Sequence, residues 1–293
     1  PTPAATSLPS LLHEAFMTLR SLMLALLAIP LSAAGAATPL RTSATAEDGP
    51  VPRIDDYSAA TEAARASGAM LLVSVEPHGG ESPLDRPGVA ERFASAQTPW
   101  VFCRPDAAAA SGIATDPGLV EMRGGPGLFV VDHAHDAWRG RIVSVLPRTP
   151  GKYYRFADHH LDELASLPAG SLTQRSMILA VRLHPERPLS TQGSCDAVLC
   201  SEAEAHSTHQ ARIRRQGHHG WGTRSQRLGG AAAEVCAQSW ENQDLLDSCV
   251  DCVASWRQSP GHWRAVSGPH SSYGYDIRRG GDGIWYATGI FRD

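Results

Sequence analysis

The chain has 293 residues, of which 42% are hydrophobic and 19% charged, and a formal net charge of −4. That length can hold two domains of ordinary size, each with its own core, and the balance is that of a globular protein biased towards Gly, Ala and Pro. No dense Lys/Arg run is present: Arg212, Arg214, Arg215, Arg224 and Arg227 alternate with other residues and read as a solvated helix face, so no nucleic-acid partner is expected.

Residues 1–16 precede Met17 and read as upstream sequence outside the fold. Met17–Arg20, the apolar run Leu22–Leu31 and Ala34-Gly35-Ala36 have the layout of a secretory signal peptide over residues 17–36. The apolar run is shorter than the roughly 20 residues of a spanning helix, so the mature chain is expected to lack a membrane span. Export to the periplasm or the exterior follows. Residues 37–53, rich in Ala, Thr and Pro, read as a linker.

From there helices and strands alternate. Asp56 is placed to cap a helix over Ser58–Ser67, and Ala69–Val75 is an apolar run bounded by Gly68 and Pro77, as in a buried strand. Pro87–Ala96 predicts a helix, Trp100–Cys103 a second buried strand, and Asp106 the cap of a short helix ending at Ile113. Gly127–Asp132 and Gly140–Val145 predict a hairpin around His133–Asp136. Across residues 54–148 this order resembles a thioredoxin-like domain. The resemblance makes Pro126 the counterpart of that family's cis-proline. The redox position reads Glu76-Pro77-His78-Gly79-Gly80-Glu81, with no cysteine, which implies a redox-inactive scaffold.

Residues 149–193 read as a helical connector, with helices over Phe156–Leu167 and Leu172–Leu183. Residues 194–293 form the second domain. A helix over Ala203–Ala211 puts His206 and Gln210 one turn apart. His218 and His219 follow a bend, Glu234 lies beyond them, and Leu245–Trp256 is helical. Ser255-Trp256-Arg257-Gln258-Ser259-Pro260-Gly261-His262 reads as a helix end and a tight turn aiming His262, before two strands near Tyr273–Tyr275 and Gly283–Phe291. That order resembles the CAP superfamily, the cysteine-rich secretory, antigen 5 and pathogenesis-related proteins. The expected fold is therefore α/β: a thioredoxin-like domain followed by a CAP-like α-β-α sandwich.

The CAP resemblance implies a cleft in which His262 and one of His218 or His219 meet Glu234. The candidate ligand-binding residues are His218, His219, Glu234 and His262, and the candidate metal ligands His219, Glu234 and His262, suited to Zn²⁺ or another borderline divalent cation. His206 reads as a packing or capping residue. Arg257-Gln258-Ser259 lacks the second acid many CAP proteins carry there. A binding or interaction protein is thus expected, its partner an extracellular or periplasmic protein or a small ligand; the alternative is a metal-dependent hydrolase using the same cleft.

Six cysteines in an exported chain permit disulfides. Cys195 with Cys200, and Cys236 with Cys249 or Cys252, are the preferred local pairs, while Cys103 reads as a buried free thiol. Cys249 and Cys252 have redox spacing, but mid-helix, away from the helix N-terminus that would activate a thiol.

Overall fold

A computed structural model describes residues 49–293. The expected upstream segment 1–16, the expected signal peptide 17–36 and residues 37–48 of the expected linker lie outside the described residues. The chain is mixed α/β and built around two mixed sheets.

The first sheet contains β1 (Arg53–Ile54), β2 (Met70–Val75), β3 (Trp100–Cys103), β4 (Gly127–Asp132) and β5 (Arg141–Pro147), in the order β1-β3-β2-β4-β5. β1, β3 and β2 run parallel, and β4 and β5 are antiparallel. β2, β3 and β4 are buried along their whole length, which is why their sequences are continuous apolar runs rather than alternations. Helix α1 (Tyr57–Ser67) starts where the Asp56 side chain accepts from Ala59 N–H at 2.7 Å and ends at Gly68, whose φ of 61° lies in the left-handed region. Helices α2 (Val89–Ala94) and α3 (Ala107–Ile113) follow, the latter capped by Asp106 as expected. No peptide bond among the described residues is cis, so the cis-proline expected at Pro126 is not present. Arg123 and Gly124, with φ of 51° and 70°, turn the chain towards β4 instead.

The second sheet contains β6 (Ser194–Cys195), β7 (Ala232–Gln238), β8 (Ser272–Arg279) and β9 (Trp285–Arg292), in the order β6-β8-β9-β7. Helix α6 (Ala197–Ile213) covers one face, where Leu199, Ala203 and Ile290 pack together. It sits so close at Gly274 that a Cβ there would lie 2.3 Å from the Cys200 nitrogen. Helix α8 (Leu245–Gln258) covers the other face, with the ring of Trp256 6.0 Å from that of Tyr275. Between β6 and β7 lies the short helix α7 (Trp221–Arg227). The Ser259-Pro260-Gly261-His262 segment, expected as a turn, opens helix α9 (Pro260–Ser267): Pro260 sits in its first turn, where a missing N–H costs nothing.

Residues 149–193, expected to connect two domains, instead supply the layer between the sheets. Helix α4 (His160–Ala165) is shorter than its predicted span, and α5 (Leu172–Arg182) carries a capping box between Ser171 and Gln174. Every residue of α5 from Gln174 to Val181 is buried. Met177, Ile178 and Val181 share one apolar core with Leu72 and Val130 of the first sheet and with Tyr275 and Ala287 of the second. Arg175 is buried with them; its Nε donates to Ser144 Oγ at 2.9 Å and Nη1 to the carbonyls of Leu167 and Pro168. Burial lowers its guanidinium to about 10. Two carboxylates bolt the halves further. Asp247 of α8 accepts the backbone N–H groups of Lys152, Tyr153 and Tyr154, and Glu121 accepts the N–H of Leu245, the first residue of α8. No helix among the described residues is long and apolar enough to cross a membrane.

The expected disulfides are not formed: all six cysteines are free. Cys236 lies on the α6 side of β7, whereas Cys249 belongs to the core on the α8 side, so the sheet stands between them. Cys195 and Cys200 do meet, but their sulfurs are 3.4 Å apart, well beyond a bond of about 2.05 Å.

Asp276 of β8 is fully buried, accepting from Thr173 Oγ1 at 2.6 Å and Arg278 Nε at 2.9 Å, and burial raises its carboxyl to about 7. Between an unfolded value near 3.9 and that native value the folded chain holds a proton the unfolded chain has lost, so Asp276 lowers stability as pH rises. Urea midpoints at pH 5 and pH 8 should therefore fall less in D276N than in the parent chain.

Candidate functional site

Strand parity fixes the centre of the site. Val235 and Ala237 of β7 point into the apolar core, so Glu234 and Cys236 point the other way, towards α6. The Glu234 side chain has no solvent exposure. A lone carboxylate so placed would be strongly destabilised, and the chain surrounds it with donors. His218 Nδ1 lies 2.9 Å from Oε1, while Arg224 brings Nε to 3.1 Å and Nη2 to 2.5 Å of Oε2. Burial alone pushes the Glu234 carboxyl up; the hydrogen bonds from His218 and Arg224 outweigh it and hold the group below its usual range. Glu234 is an anion whose second oxygen is wholly taken by a guanidinium.

The loop bearing His218 is pinned to the polar stripe of α6. Gln210 accepts the Gly217 N–H at 2.9 Å, and His206 Nε2 lies 2.8 Å from the Gly217 carbonyl. A carbonyl can only accept, so His206 Nε2 carries a proton and Nδ1 presents a lone pair, buried and without a partner. Gln216 donates to the Cys236 carbonyl, and Arg224 to that of His219. Gly220, at φ 70°, turns the chain into α7, which carries Arg224 back to Glu234.

His206, Glu234 and Cys236 are all buried and bring one ligand atom each within 4.8 Å of one another; this group could hold a metal ion. Cys236 Sγ lies 3.7 Å from Glu234 Oε1 and 3.8 Å from His218 Nδ1. Its thiol is pushed up, first by burial and then by the Glu234 charge.

Of the residues expected to line a cleft, His218 and Glu234 touch directly. His262, on α9, reaches the cluster through His218, the ring centroids lying 5.8 Å apart. Burial, and then the neighbouring His218, lower its imidazole. His219 turns its ring towards α6, 5.8 Å from His209 and 6.4 Å from His206, with Nε2 buried and unpartnered. His206, read as a packing or capping residue, is buried and bonds the Gly217 carbonyl, and it is also one of the three groups that could hold a metal ion. Arg224, read as part of a solvated basic face, is 8% exposed and is the main counter-charge. Cys236, assigned to a disulfide, belongs to the polar cluster. Its signal was the Glu-x-Cys spacing, which on a strand puts both side chains on one face.

No family model matches the chain, and no curated protein or solved structure is similar to it.

Replacing Glu234 by Gln leaves the Arg224 charge buried without its anion, and a loss of about 3–5 kcal/mol in unfolding free energy is expected. The double variant E234M/R224M removes both charges and should cost less than E234Q alone, as read from denaturant midpoints.

Proposed function

We propose that this chain is an exported, CAP-like binding protein whose His/Glu/Cys cluster takes up a borderline divalent cation, Zn²⁺ foremost, with the first half serving as a redox-inactive, thioredoxin-like scaffold. The observation that carries the reading is the convergence of His206, Glu234 and Cys236 within 4.8 Å, with His218 on the carboxylate oxygen that Arg224 does not hold. Imidazole, carboxylate and thiolate together are a donor set that suits zinc better than calcium or magnesium.

Two features supported the CAP and thioredoxin readings at the level of topology. In the second sheet α6 lies on one face and α8 on the other, as an α-β-α sandwich requires. The strand order β1-β3-β2-β4-β5, with its last two strands antiparallel, supports the thioredoxin-like reading. The lack of any thiol in residues 76–81 supports a scaffold role.

Binding fits the residues better than hydrolysis. A hydrolase needs a free base beside the metal, and Glu234 is engaged by Arg224 on one oxygen and by His218 on the other. Metal entry has a defined proton cost. The Cys236 thiol must ionise, and His206 must release the proton it shares with the Gly217 carbonyl before Nε2 can ligate. Affinity should therefore rise with pH.

Titration of the purified chain with Zn²⁺, followed by calorimetry and metal analysis, tests this. One ion per chain is expected, bound more tightly at pH 8 than at pH 6, with C236A and H206A weakened roughly 100-fold or more. Failure to retain zinc at either pH, or retention unchanged in both variants, would overturn the proposal.

A further inference from the structure

Away from that cluster, Cys195 and Cys200 stand together at the start of α6. Cys195 ends β6, Asp196 caps the helix by accepting from the N–H groups of Val198 and Leu199, and Cys200 closes the first turn with its N–H on the Asp196 carbonyl. Gly274 lets the backbone of this turn lie directly on β8. The sulfurs are 3.4 Å apart and unbonded.

The two thiols differ in access. Cys195 is half-buried and lines a groove of about 640 Å³ together with Arg182, Leu167, Pro168 and Tyr273. Cys200 lies behind it and is buried, as are Cys103, Cys236, Cys249 and Cys252. Cys195 is thus the one cysteine of the six that an incoming reagent can meet from solvent.

We infer that Cys195 and Cys200 form a reversible dithiol–disulfide couple, with Cys195 reacting with a disulfide bound in the groove and Cys200 resolving the product. The Cys195 thiolate attacks one sulfur of the incoming disulfide; a mixed disulfide forms as the reagent's S–S bond breaks, and the leaving thiolate takes up the proton Cys195 gave to solvent. Cys200 then loses its proton and attacks Cys195 Sγ, expelling the second thiol. The chain is oxidised by two electrons, and one disulfide is reduced to two thiols. The electrostatics agree with this division of labour: the hydrogen bond from Cys200, aided by the Arg182 charge, lowers the Cys195 thiol, while the same contact and burial raise Cys200. Cys249 and Cys252, the other closely spaced pair, are wholly buried, so among the described residues Cys195 and Cys200 are the dithiol open to solvent, and the inference does not depend on the cation site.

The test is mass analysis of the folded chain equilibrated in graded mixtures of reduced and oxidised glutathione. The expected result is a two-electron transition between free thiols and a Cys195–Cys200 bridge that reverses with excess reduced glutathione, and, in C200S, one glutathione adduct located on Cys195. Alkylation of the reduced, folded parent should label Cys195 at least about tenfold faster than the buried cysteines. A chain that forms no bridge, a bridge that excess thiol opens only on unfolding, or an adduct on another cysteine would each overturn the inference. The parent-chain titration and labelling decide the matter even if C200S folds poorly.

Discussion

Helix α5 is the element on which the rest depends. It lies between two sheets, so neither of its faces can be left polar, and eight successive residues are buried although two of them are Gln174 and Arg175. The Arg175 guanidinium is tolerated because Ser144 of the first sheet and the carbonyls of Leu167 and Pro168 accept from it. A chain long enough for two separate cores has here built one continuous apolar core across two sheets, and the carboxylates of Glu121 and Asp247 satisfy backbone donors across the seam. The layers run from α1 and α3, through the first sheet, the shared helices and the second sheet, to α6.

The His206, Glu234 and Cys236 cluster sits on the outer side of this stack, where β7 faces α6. Its centre is a carboxylate that would be costly to bury alone, and the neighbouring elements are arranged to compensate it. α7 delivers Arg224, the preceding loop delivers His218, and α6 fixes that loop through His206 and Gln210. This arrangement keeps Glu234 ionised and satisfies both of its oxygens. The dithiol at the beginning of α6 belongs to a different surface, a groove bordered by Leu167 and Arg182 of the shared layer. One helix thus supplies residues to both places, through its polar stripe and through its first turn.

Local elements were legible in the sequence because local physics decides them. Asp56 and Asp106 cap the helices they precede, and the apolar runs ending at Val75 and Cys103 are buried strands. His218 touches Glu234, and His262 reaches that pair through the ring of His218. Two assignments failed for one reason. The places of Arg224 and Cys236 depend on which face of a strand or helix meets which neighbour, and a charge pattern or a cysteine spacing carries no record of that. Cys236 and Cys249 look like near neighbours in sequence, yet a sheet separates them.

By itself the sequence determined the α/β alternation, the helix starts and the gathering of histidines between residues 206 and 262, since caps, apolar runs and composition act over a few residues. Only the tertiary structure decided that residues 149–193 are a core layer, that Arg224 neutralises Glu234, and that Cys236 joins a polar cluster. Each of these rests on burial and strand parity, and those are set when distant segments pack and water is excluded from between them.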